Sequence, residues 1–77
     1  MNHLIRVKLE TVNDVKRFVD AADKYPHAVK VHANEYIVSG KSIMGMFSLD
    51  LSNPVIVELS DENGAQAFID EIKPYVC

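Results

Sequence analysis

The chain has 77 residues, with 8 Lys+Arg against 11 Asp+Glu, a formal net charge of −3 and one cysteine. That length holds one domain, residues 1–77, since a domain usually needs about 100 residues, and at about 60% burial it favours no deep, enclosed active site. One cysteine excludes an internal disulfide and a Cys-based zinc site, the acidic balance argues against nucleic acid, and no apolar run nears the ~20 residues of a membrane span.

Residues 4–9, Leu-Ile-Arg-Val-Lys-Leu, alternate apolar and polar and predict a half-buried strand. From Thr11 the period changes. Val12, Val15, Val19 and Ala22 form a helical stripe with Phe18 beside it, predicting a helix over 12–25. Thr11 is its expected N-cap, because a hydroxyl accepts an orphan backbone N–H. Asp14 sits near the positive end of the helix dipole, and Pro26 marks the stop. Val29, Val31 and Ala33 alternate with polar residues as a second strand, Asn34-Glu35 is a turn, and residues 36–39 return as a third strand. Residues 42–49 read as a short apolar helix opened by Ser42. After the turn at Asn53-Pro54, residues 55–59 form a β-branched fourth strand. Ser60 is the expected N-cap of a last helix, with Ala65, Phe68, Ile69 and Ile72 as its stripe and Pro74 ending or kinking it.

The expected fold is α+β, of order β-α-β-β-α-β-α. Three helices cover one face of a four-stranded, mostly antiparallel sheet, and the other, polar face meets water. The N-terminal residues lack a signal-peptide core. The expectation is therefore a small soluble protein of the reducing cytoplasm, not an enzyme, which works by presenting a surface.

The segment Lys41-Ser42-Ile43-Met44-Gly45-Met46-Phe47-Ser48-Leu49 resembles the regulatory-serine segment of HPr, the histidine-containing phosphocarrier of the bacterial sugar phosphotransferase system. Ala22-Asp23-Lys24-Tyr25 is similar to the end of that family's first helix, and Asp61-Glu62-Asn63 to the start of its last. The resemblance implies the HPr-like open-faced β-sandwich over the whole chain. It also implies two chemical sites.

The first is a histidine before the first helix, in a His-Ala-Arg-Pro string, that relays phosphate. Here the stretch reads Glu10-Thr11-Val12-Asn13-Asp14. Counting back from Ser42 puts Thr11 at the histidine position, and Asn13 and Asp14 at the arginine and proline positions. A threonine hydroxyl is a weak nucleophile and forms a stable ester, whereas an imidazole near neutral pKa supports reversible transfer. Glu10 and Asp14 repel a phosphoryl group where the family has an arginine to attract it. His3 lies ~25 Å from Thr11 along the strand and His27 ~20 Å away past the helix. His32 is expected on the open face. All three read as surface histidines.

The second implied site is intact. In many members a kinase phosphorylates the serine that Ser42 matches, which makes Ser42 the candidate for regulatory phosphorylation. Lys41, Ile43, Met44 and Phe47 are the candidate partner-binding residues, and an HPr-type kinase or a transcriptional regulator is the implied partner. Family corepressors also use the arginine that Asn13 replaces, while paralogues lacking the histidine keep the serine and act in carbon-catabolite signalling. No catalytic residue, metal site, cofactor, nucleic acid or membrane partner is expected, and Cys77 is given no role. Two other readings stay open. One is a phosphocarrier using His3, His27 or His32. The other is a structural or oligomerising module that keeps the apolar helix as an interface.

Overall fold

The computed structural model describes residues 3–77, with His3 described by its backbone alone. The expectations for Met1, Asn2 and the His3 side chain lie outside the described residues. The elements are β1 (His3–Val7), α1 (Val12–Lys24), β2 (Val29–Ala33), β3 (Tyr36–Ser39), α2 (Ile43–Phe47), β4 (Val55–Leu59) and α3 (Ala65–Ile72), and a 3-10 turn (Lys73–Tyr75) follows. The expected order is present. The strands form one sheet in the order β1-β4-β2-β3, and every pairing is antiparallel.

The register explains the single core. Ile5 pairs with Val57, Val57 with Val31, and Val31 with Val38, so one β-branched row crosses the whole sheet. Val31 and Val57 are fully buried. The helices lie over this row with Val15, Phe18 and Val19 of α1, Met46 of α2, and Phe68 and Ile72 of α3. Phe18 meets Phe68 edge-on, ring centroids 5.7 Å apart, and Tyr25 lies 5.9 Å from Phe68. Buried aromatics in such geometry add contact energy beyond their area.

Several expected boundaries shift, each for a physical reason. The first strand ends at Val7, because the Lys8 N–H turns to Tyr75 O (2.8 Å) near the C-terminus. Leu9 is still buried, but as a loop residue. α1 stops at Lys24, and Tyr25 is its extended C-cap ahead of Pro26. Val12 leaves the buried stripe: it is exposed in the first turn, with no core beneath it. α2 is shorter than residues 42–49, with Ser48 as its C-cap.

The largest correction concerns Ser60, which caps no helix. Its hydroxyl donates to Ala28 O (3.3 Å), and α3 starts five residues later behind Gly64, whose φ is 82°. The buried Tyr25 ring reaches this loop, where its hydroxyl donates to Asp61 O and accepts from Asp61 N–H (3.0 Å). Asp61 Oδ1 in turn accepts from Asn63 N–H (2.8 Å). The Tyr25 hydroxyl thus occupies the Asp61 carbonyl, which a helix starting at Ser60 would use for its first intrahelical bonds. A Cβ on Gly64 would lie 3.1 Å from Pro26 Cδ at a left-handed φ, so glycine suits this position on both counts.

The open sheet face is also less polar than expected. Its central row runs Arg6, Ile56, His32, Ile37, with Leu4 and Glu58 paired beside it. Leu4 and Ile37 are both exposed there.

Candidate functional site

Thr11 is the N-cap of α1 in a reciprocal capping box. The Asp14 N–H donates to Thr11 Oγ1 (3.0 Å), and Asp14 Oδ2 accepts from the Thr11 N–H (3.2 Å) and the Glu10 N–H (3.1 Å). The hydroxyl at the position assigned to the phosphocarrier histidine thus closes the helix. These bonds, the Glu10 N–H first, hold the Asp14 carboxyl below the ordinary carboxylate range, with Arg17 adding to the effect.

The sign of the pH effect follows. A depressed folded pKa adds stability above the unfolded value, and that stability is lost as pH falls through the folded value. The start of α1 is therefore expected to fray below pH about 4. Amide exchange at residues 12–15 checks this, and Asp14→Asn should flatten the acid dependence.

Beside Thr11 is a cleft of ≈ 420 Å³ that joins the first turn of α1 to α2, with Thr11, Val12, Phe47 and Leu51 in its wall. Lys8 and Glu10 line it too, but the Lys8 ammonium is used on two carbonyls, Leu51 O (3.0 Å) and Ser52 O (2.6 Å). The wall that includes the assigned histidine position is largely apolar. Val12 was expected in the buried stripe of α1, and no local pattern in the sequence marks Leu51.

Ser42 is the N-cap of α2. Its Oγ accepts from the Gly45 N–H (3.0 Å), and its carbonyl accepts from the Met46 N–H (2.9 Å). The side chain is exposed. Next to it Met44 is 81% exposed and Phe47 45% exposed, while Ile43 is half-buried against the core. The expected apolar surface is therefore built from Met44 and Phe47, with Ile43 as its anchor. Lys41 is more occupied than the sequence suggested. Its Nζ donates to Tyr25 O (2.6 Å) and ties the serine segment to the end of α1.

The described histidine side chains lie elsewhere. His27, beyond the C-terminal end of α1, sits 3.8 Å from Asp61 Oδ1, and its ring stands edge-on to Tyr25. His32 is on the open face, bonded to Glu58 Oε1 at 2.8 Å. α1 alone separates His27 from Thr11 by ~20 Å. Among the described residues there is no group of three His, Cys, Asp or Glu that could hold a metal ion. No helix among them is long and apolar enough to cross a membrane.

The model of one protein family, described as the PTS HPr component phosphorylation site, matches residues 13–76. The chain belongs to the HPr family. Solved HPr structures agree with this in architecture. The phosphocarrier protein HPr from Bacillus anthracis str. Ames superposes with a TM-score of 0.74 at 18% identity, over 99% of this chain and 98% of its own. HPr-C-His from Thermoanaerobacter tengcongensis superposes with a TM-score of 0.68 at 26% identity, over 96% of this chain and 88% of its own. No curated protein matches the chain in sequence. The HPr match begins two residues after Thr11 and includes the whole of α2.

Proposed function

We propose that this HPr-family protein is a regulatory or adaptor domain of the cytoplasm that does not relay phosphate, and that the Ser42 helix is its recognition surface. The observation that carries this reading is the contrast in surroundings of two exposed capping hydroxyls. Thr11 shares its cap with the Asp14 carboxylate. Ser42 caps a first turn that has no acidic residue, and exposed Met44 and Phe47 flank it.

The chemistry of the first is unfavourable to relay. A threonine ester is too stable for onward transfer, and the ionised Asp14 next to it opposes an incoming phosphoryl group. The second suits a switch. Phosphorylation of Ser42 adds about −1.5 to −2 charge. Met44 and Phe47 supply the apolar contact beside it, and a flexible methionine adapts to its partner. Lys41 and Ile43 hold the segment in place. The fitting partner is an HPr-type kinase, or a transcriptional regulator that reads the modified serine.

Incubation with an HPr-type kinase and ATP, followed by intact-mass measurement, tests the switch. The chain is expected to gain one phosphate and Ser42→Ala none. An unmodified chain beside a labelled HPr control would contradict it.

A further inference from the structure

Among the described residues the methionines are Met44 and Met46, and α2 carries both. Two positions along a helix is a rotation of about 200°, so they face opposite ways. Met46 has no exposed surface and belongs to the core, whereas Met44 is 81% exposed and lies outside it. Two thioethers of one short helix thus differ as far as burial allows. The backbone around Met44 is held without its side chain: its carbonyl accepts from the Ser48 N–H (3.1 Å), and the Ser42 carbonyl accepts from the Met46 N–H (2.9 Å).

Met44 also stands in the first turn of α2, directly after the Ser42 cap, and its neighbours Ile43 and Gly45 are half-buried. An enzyme that seats the Ser42 hydroxyl covers this turn, and Met44 is the side chain that projects from it. A thioether suits such a contact because it is apolar and polarisable. The same sulfur is open to oxidants in water.

We propose that Met44 is a reversible oxidation site whose sulfoxide withholds Ser42 from its kinase, a consequence that rests on Ser42 being the phosphorylated serine. The oxidant is a peroxide. A lone pair of the Met44 sulfur attacks one peroxide oxygen and the O–O bond breaks. The thioether is oxidised to the sulfoxide, and hydrogen peroxide is reduced to water. The product sets a polar oxygen in the apolar surface that Met44 and Phe47 form. A partner surface that fits the thioether must then bury that oxygen without a hydrogen bond, which is costly. Methionine sulfoxide reductases restore the thioether, which resets the site. Met46, inside the core, is shielded from the same chemistry.

The test uses the full chain with Cys77→Ser, which removes the exposed thiol as a competing target. Hydrogen peroxide is added, then destroyed with catalase, and the peptides are mapped by mass. Met44 is expected to gain one oxygen while Met46 stays a thioether, with the melting curve unchanged. Equal oxidation of both, none at Met44, or a lowered melting point overturns the proposal. Phosphorylation by an HPr-type kinase and ATP is then timed. The kcat/KM of the oxidised chain is expected to fall about tenfold, the scale of losing one central apolar contact, and to recover after treatment with methionine sulfoxide reductase. Met44→Leu should give one rate with and without peroxide, whatever that rate is. An oxidised chain phosphorylated as fast as the untreated one overturns the proposal and leaves Ser42 the kinase target. So does a peroxide effect that persists in Met44→Leu. An untreated chain that takes no phosphate overturns the reading of Ser42, and the control by Met44 with it.

Discussion

Phe18→Ala is expected to lower stability by about 3–5 kcal/mol, the usual cost of emptying a buried aromatic site. A chain of this size has about 4–12 kcal/mol in total at typical stability per residue, so the variant loses a large part of its margin. Phe18 has no exposed surface, and its ring packs against other elements. Phe68 of α3 packs edge-on against it, and a Cβ at Gly40 would lie only 3.1 Å from its Cε1. Those neighbours are on separate elements held by backbone bonds, so the cavity cannot simply collapse. Urea unfolding should show a lower midpoint with little change in slope. Phe18→Leu should cost distinctly less, because it restores most of the lost volume.

Gly40→Ala is the second large effect, about 1–3 kcal/mol of destabilisation by overpacking. The reason is space rather than backbone angle. The Gly40 N–H donates to Val29 O (2.9 Å), which brings the chain so close to β2 that a Cβ would meet Val29 Cγ1 at 2.5 Å. Val29 is buried and β-branched, so it has no free rotamer to move into. This close approach also places the site. Lys41 and Ser42 follow directly, Lys41 Nζ reaches Tyr25 O, and the Ser42 N–H donates to Ser39 O (3.1 Å). Adding Val29→Ala should relieve the clash, so the double variant should cost less than the sum of the two singles. Additive costs would mean that the contact with Val29 is not the cause.

The strands were readable in the sequence wherever one face had to be buried. Val31 and Val57 sit in the core row because a period of two against a covering helix layer allows one register only. Ile37 follows the same period on the uncovered face, where burial does not choose the residue. The start of α3 was misplaced because Ser60 and Asp61 have the composition of a cap. What decides that loop is the Tyr25 hydroxyl, 36 residues distant in sequence. No local pattern reports such a contact. For the site, Ser42 and its cap could be read from a local string, since both partners lie within three residues. The cleft at Thr11 could not. It needs Phe47 of α2 beside Val12 of α1, and only the packing of the two helices brings them together.

The most direct test of the central claim is incubation with enzyme I and phosphoenolpyruvate, read by intact mass with an acid-stability step. A true HPr should become labelled while this chain keeps its unmodified mass, because Thr11 offers only a capping hydroxyl, and His27 and His32 sit instead beside Asp61 and Glu58. An acid-labile phosphate on His3, His27 or His32 would contradict the account.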